Sequence, residues 1–127
     1  MANEKSGERM IFKGVSRVFD LSDEQQYETI GQFWDEMAAL YGLEKLRGLG
    51  YAWQGNAMSY AIGLKDGEIE NGNVCITLPD DGWETVKGQT DCLKVMYDEI
   101  YQKGRLRYEI EMFDEDGTCE ISYYRVK

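Results

Sequence analysis

Residues 105–127, RLRYEIEMFDEDGTCEISYYRVK, restrict the fold of this chain more than any other part of the sequence. Along residues 107–113, apolar side chains alternate with mainly charged ones, which is the period-2 pattern of a strand with two different faces. Residues 114–118 predict a tight acidic turn in which Gly117 supplies a permissive backbone position, and residues 119–126 predict the returning strand. We therefore expect an antiparallel strand pair, against which the remaining elements have to pack.

Two glutamates, Glu109 and Glu111, stand on one face of the first of these strands, and the other face is apolar. If the charged face is solvated, the two glutamates are ordinary surface charges. If that face lines a pocket, a half-buried carboxylate without a built-in partner favours a cationic ligand. The strand pattern alone leaves both interpretations open.

The composition limits the kinds of partner this chain can bind. With 127 residues, it is long enough for a single domain, residues 1–127, with a hydrophobic core. Its formal net charge of −10 argues against nucleic acid and anionic membranes, because both need a basic surface. Aromatic residues make up 13% of the chain, more than a core needs, which fits a stacking pocket for a small-molecule ligand.

Metal and cofactor chemistry has little support in the sequence. The chain has no histidine, the commonest metal ligand, and its three cysteines, Cys75, Cys92 and Cys119, are far apart. We therefore expect no metal site and no cofactor, and we interpret the cysteines as reduced thiols of a cytoplasmic protein. Residues 1–9 predict a disordered tail without a signal peptide, and no apolar run is long enough to span a bilayer.

The rest of the sequence predicts two helices and several strands. The clearer helix covers residues 21–42, where Ser22 and Gln25 form a capping box and apolar residues recur at helical spacing. We interpret Trp34 in this helix as a core residue rather than a ligand contact. A second helix is predicted at residues 90–104. Strands are predicted at residues 10–20, 51–56, 58–65, 74–78 and 83–87, and a linker at residues 43–50.

Each half of the chain runs strand, helix, strand, strand, which indicates an internal repeat. We predict an α+β fold of two βαββ units related by a pseudo-two-fold axis, with an antiparallel sheet, two helices on one face and a ligand groove on the other. Aligning residues 60–64 with residues 108–112 places Ala61 and Gly63 where the second half has its two glutamates. This difference indicates either a groove with one small and one acidic wall, or drift between duplicated halves.

Taken together, these elements resemble the GyrI-like family, the effector-binding domain of AraC-type and multidrug-responsive transcription regulators. The resemblance covers about residues 12–127. It rests on three motifs: WETVKG at residues 83–88, LKVMYDEIYQKG at residues 93–104, and IEMF at residues 110–113, which precedes the acidic turn. Two features depart from the family pattern. Tyr97 or Tyr101 stands where the family often has a tryptophan, and no helix-turn-helix region is attached, so the chain resembles a stand-alone member.

This resemblance implies a SOUL-like duplicated fold with a ligand groove between the halves. Glu111 matches the family glutamate that faces the groove and pairs with cationic or polar groups of lipophilic compounds. Aromatic side chains around it would stack on flat rings. The candidates for this lining, assigned from strand alternation, are Trp53, Tyr60, Trp83, Phe113 and Tyr124.

The function that we expect is binding of lipophilic, flat or cationic small molecules, for drug or toxin binding or sensing, with Glu111 as the anchor. The alternative is an enzyme, because some stand-alone GyrI-like proteins hydrolyse reactive cyclopropane groups of DNA-alkylating natural products. Glu111 would then be the catalytic carboxylate that activates water. A second alternative is an acidic inhibitory module that binds a basic protein partner.

Overall fold

The computed structural model describes residues 10–20, 26–67 and 69–126. The predicted tail at residues 1–9 and the predicted capping box of Ser22 and Gln25 lie outside these ranges. Within the described ranges the elements follow in this order: β1 (Met10–Asp20), α1 (Gln26–Tyr41), a 3-10 turn (Leu43–Lys45), β2 (Leu46–Gln54), β3 (Ala57–Leu64), β4 (Val74–Leu78), β5 (Glu84–Gln89), a second 3-10 turn (Thr90–Cys92), α2 (Leu93–Gln102), β6 (Leu106–Phe113) and β7 (Thr118–Arg125).

The strands of the described chain form one antiparallel sheet in the order β4-β1-β3-β2-β6-β7-β5. The first unit contributes the order β1-β3-β2, and the second repeats it as β5-β7-β6. The two units meet where β2 pairs with β6, and β4 is added at the outer edge of β1. This topology confirms the predicted α+β fold built from duplicated βαββ units.

Strand β2 begins at Leu46, inside the stretch that the sequence pattern assigns to a linker. Gly48 and Gly50 look like loop residues in the sequence, but both are buried in the sheet. A Cβ atom on Gly48 would collide with the Tyr60 hydroxyl, and one on Gly50 would lie 2.7 Å from Oε1 of Glu109. The linker prediction is wrong because these glycines make room for neighbouring side chains rather than for a turn.

Both helices pack on one face of the sheet, and apolar residues fill both faces. The core on the helix side is built around Phe33, Trp34, Met37, Tyr60, Ile62 and Ile121. The opposite face carries a second cluster formed by Phe12, Leu49, Ala61, Leu78 and Ile110. Strand β6 serves both layers, since Ile110 joins the second cluster and the residues on either side of it, Glu109 and Glu111, point toward the helices.

Candidate functional site

A cavity of about 550 Å³ lies between the two helices and the sheet. Its aromatic lining is formed by Trp34, Trp53, Tyr60, Tyr97, Tyr101 and Phe113. Its acidic lining is formed by Asp35, Glu109, Glu111, Asp114 and Glu115, and no lysine or arginine is found among the described residues that line it. The expectation that the groove lies on the face opposite the helices is wrong, because that face is filled by the second apolar cluster.

Strand β6 places Glu109 and Glu111 side by side on the floor of this cavity. Both side chains are buried, with exposed fractions of 4% and 5%. The residues directly across from them are Gly50 and Gly48 of β2. Strand β2 therefore forms the wall of small residues beside the two glutamates. The repeat alignment assigned that wall to Ala61, but Ala61 packs on the opposite face of the sheet.

Tyrosine hydroxyls satisfy part of the hydrogen-bonding capacity of each carboxylate. Tyr60 donates to Oε1 of Glu111 and accepts from Nε1 of Trp34 at 2.9 Å. Tyr101 donates to Oε2 of Glu109 at 3.0 Å. These phenols hold both carboxylates in fixed orientations, and they stabilise the charged forms without supplying a positive charge.

Tyr97 supplies a third hydroxyl, which is buried beside the two carboxylates. Its ring stacks on Tyr101, with 5.6 Å between the ring centroids and 19° between the ring planes. Its hydroxyl group lies close enough to influence both glutamates but makes no hydrogen bond of ordinary geometry with any described residue. The site therefore contains a buried polar group that a small movement or a ligand could satisfy.

Burial changes the acidity of the whole cluster. Desolvation, together with the neighbouring charge of Glu111, raises the pKa of Glu109 to about 8, although the Tyr101 and Tyr97 hydroxyls oppose the shift. Desolvation also raises the pKa of Glu111, against the opposing effect of Tyr60. The pKa values of Tyr60 and Tyr97 are raised well above the ordinary value for the same reason. At neutral pH the phenols are neutral, and the glutamate pair can keep a proton.

No described basic side chain compensates these buried carboxylates. The ion pairs found among the described residues join Arg17 to Glu36, Lys87 to Glu120 and Arg125 to Glu84. None of these pairs includes Glu109 or Glu111. Because a buried charge without a counter-charge is costly, the arrangement is suited to a ligand that brings a positive charge into the cavity.

The structure brings four of the six predicted site residues together. Glu111, Trp53, Tyr60 and Phe113 line the cavity. Trp83 and Tyr124 lie elsewhere, in an aromatic cluster with Tyr108 whose ring centroids are 5.7 to 6.3 Å apart. The side-chain alternation of β7 explains Tyr124, because the buried neighbour that joins the helix-side core is Tyr123.

Trp34 serves both of the roles that the sequence analysis treated as alternatives. It is buried in the core, with its ring edge-on to Phe113 at 4.8 Å between centroids, and it also borders the cavity. Glu109, Tyr97 and Tyr101 were not among the site residues assigned from the sequence, although Glu109 lies on the strand face considered there as an acidic wall. Their spacing could have indicated their roles. Glu109 shares a strand face with Glu111, and Tyr97 and Tyr101 lie one turn apart on the same helix face.

The described residues contain no group of three or more histidine, cysteine, aspartate or glutamate side chains placed to hold a metal ion. A search of the helices in the described part of the chain finds none that is both long and apolar enough to cross a membrane. The chemistry that the cavity does offer is that of carboxyl groups, phenols and aromatic faces.

Comparison with known proteins gives one informative result. Neither a protein-family model nor a curated protein matches this chain in sequence. Among solved structures, SAV2435 bound to tetraphenylphosphonium is similar over 91% of this chain and 92% of that chain, with a TM-score of 0.62 and 15% sequence identity. At this identity the similarity shows a shared fold, and the resemblance to the GyrI-like family stays a hypothesis.

Proposed function

We propose that this protein binds lipophilic cations that carry aromatic rings, in the cavity between its two helices and the sheet. The observation that carries this proposal is the pair of buried carboxylates, Glu109 and Glu111, in a cavity with no lysine or arginine among its described lining residues. The ligand's positive charge would supply the missing counter-charge. Its rings would contact the aromatic wall.

Size and chemistry both support this class of ligand. A volume of about 550 Å³ falls within the range of roughly 300–1,000 Å³ that is typical of sites for drug-sized molecules. Aromatic faces attract cations more strongly at desolvated sites, and the glutamates beside this aromatic wall are 4% and 5% exposed. Tetraphenylphosphonium, the ligand in the similar SAV2435 structure, belongs to this class and is a suitable first probe.

The residues divide into an anchor and a lining. We assign the anchoring charge to Glu111, which is held in place by Tyr60, and the stacking surface to Trp53, Tyr60 and Phe113. Trp83 and Tyr124 are left out of the proposed lining because they lie in the aromatic cluster with Tyr108. Such binding would serve either to sequester a toxic cation or to sense it through a protein partner.

The direct test compares tetraphenylphosphonium binding to the wild type, Glu111→Gln and a matched control, Glu120→Gln. Glu120 lies on β7 in an ion pair with Lys87 and does not border the cavity. Calorimetry should show that Glu111→Gln weakens binding by about tenfold to a hundredfold, because the cation loses its Coulombic attraction to a buried carboxylate. The control should bind like the wild type. Equal affinity for the wild type and Glu111→Gln would contradict the assignment of Glu111 as the anchoring charge.

Hydrolysis is the second candidate, and it is favoured by two neighbouring buried carboxyl groups whose pKa values are both raised. One could donate a proton while the other activates water, as in other carboxyl pairs. One carboxylate would take a proton from water as the water oxygen bonds to the cyclopropane carbon. The ring bond would break, its electron pair would pass through the conjugated ring to a carbonyl oxygen that becomes a phenolate, and the other carboxyl group would protonate that oxygen. A mass gain of one water by a cyclopropane-bearing compound, lost in Glu111→Gln, would establish this activity.

A further inference from the structure

We propose that binding in this cavity is an exchange of one cation for another: the empty site holds a proton on the Glu109–Glu111 pair, and an incoming monocation displaces it. This inference rests on the proposed function, and it explains how two neighbouring buried carboxyl groups are stable when no ligand is bound. It also defines the ligand class more narrowly, as lipophilic molecules with a single permanent or strongly basic positive charge.

The geometry of the pair is the first argument. Glu109 and Glu111 occupy successive same-face positions of β6, which are about 7 Å apart along a strand. Both side chains are more than nine-tenths buried, so their mutual repulsion is weakly screened. Two charges in this position without a cation would be strongly unfavourable, and one bound proton removes their mutual repulsion.

The described residues around the pair offer no positive charge in place of that proton. Besides the pair, the titratable groups that border the cavity in the described part of the chain are Asp35 from α1, Tyr60 from β3, Tyr97 and Tyr101 from α2, and Asp114 and Glu115 from the turn after β6. All of them are acidic or neutral, and β2 contributes only glycines opposite the pair. None of the described residues around the pair supplies a positive charge, so we assign that charge to a proton or a ligand from solvent.

The Tyr97 hydroxyl is a second, independent observation at the same place. Its side chain is 4% exposed, it borders the cavity, and its hydroxyl has no hydrogen-bond partner of ordinary geometry among the described residues. When the proton leaves, this hydroxyl can donate to the newly charged carboxylate. The site thus contains a hydrogen-bond donor for the ligand-bound state, in which both carboxylates are charged.

The acidity of the pair fits this exchange at physiological pH. Burial and the charge of Glu111 raise the pKa of Glu109 to about 8, so the empty site keeps its proton at pH 7. A bound monocation favours the charged carboxylate and lowers that pKa. By linkage, a ligand that expels a proton binds more tightly as the pH rises toward 8, and its affinity becomes constant above that value.

Calorimetry with tetraphenylphosphonium measures the exchange directly, because this probe has no group that titrates. Binding heats at pH 7 would be compared in phosphate and in Tris, which take up protons with different enthalpies. We expect release of close to one proton, and affinity that rises by nearly tenfold per pH unit between pH 6 and 7. Glu109→Gln should release far less and show a flat pH profile, whereas Glu120→Gln should behave like the wild type.

The possible results separate this inference from the proposed function. Binding with no difference between buffers and with constant affinity from pH 6 to 9 would overturn the exchange and leave the binding function intact. Absence of binding across that range, by calorimetry and by equilibrium dialysis, would overturn both. If Glu109→Gln fails to fold, the proton count and pH profile of the wild type still decide the question.

Discussion

Glu111, Glu109 and three tyrosine hydroxyls determine the chemistry of the cavity. The alternating charges of β6 drew attention to Glu109 and Glu111 alike, and the resemblance to the GyrI-like family singled out Glu111. Glu109 was given no separate role, because the family motif marks a single glutamate and the strand pattern does not show whether the charged face is buried. Sequence reasoning also chose Trp83 and Tyr124 for the lining, since alternation gives the period of a strand but not which of its faces points toward the helices.

The raised pKa of Glu109 predicts an unusual dependence of stability on pH. The folded protein holds this proton up to about pH 8, whereas a carboxyl with the ordinary pKa of 4.5 loses it in the unfolded chain. The unfolded state therefore binds fewer protons between these values. The contribution of Glu109 to the free energy of unfolding should be largest below about pH 4.5. It should then fall by at most about 1.4 kcal/mol per pH unit up to pH 8.

Urea unfolding at pH 5, 6.5 and 8 checks this expectation. Glu109→Gln should flatten the profile and be more stable than the wild type at pH 8, because the neutral amide has no charge to desolvate. Glu120→Gln, which alters a partly exposed ion pair, should keep the wild-type slope. Wild-type stability that rises from pH 5 to 8 would show that the pair is charged and compensated.

Strand β2 shows what limits a sequence-based assignment of elements. Its two glycines read as a linker, yet their absent side chains are what allows β2 to lie against β6 beneath the carboxylates and Tyr60. The reason for such a glycine lies in residues that are distant in the chain. By contrast, Val74–Leu78 and the turn between β6 and β7 were predicted from local pattern alone, because their determinants are neighbours in sequence.

Two alanine substitutions test this interpretation of β2. Gly48→Ala would push a Cβ atom into the Tyr60 hydroxyl and the Trp34 ring, so we expect a loss of about 1–3 kcal/mol in the free energy of unfolding. Gly31→Ala, in the interior of α1 with no atom within 4 Å of the added Cβ, should gain about 0.5–1 kcal/mol. Similar effects of the two changes in denaturant unfolding would contradict the packing argument.

At the scale of the whole molecule, the duplicated units produce the cavity. The order of elements in the sequence predicted the two βαββ units, and the order β1-β3-β2 followed by β6-β7-β5 across the sheet confirms them. The position of the cavity was not predictable in the same way. It depends on how far apart α1 and α2 stand on their shared face, which is a property of tertiary packing. The formal net charge of −10 adds a long-range attraction for cations to the local one at the glutamates.

The measurement that tests the central claim most directly compares tetraphenylphosphonium with tetraphenylborate on the wild-type protein. The two ions have nearly the same size and shape and opposite charges, so only the electrostatics of the cavity distinguishes them. We predict that the phosphonium binds and that the borate binds at least about a hundredfold more weakly, because an anion would meet two buried carboxyl groups. Comparable affinity for both ions would show that the cavity selects apolar shape alone, and would contradict the proposal that its carboxylates select cations.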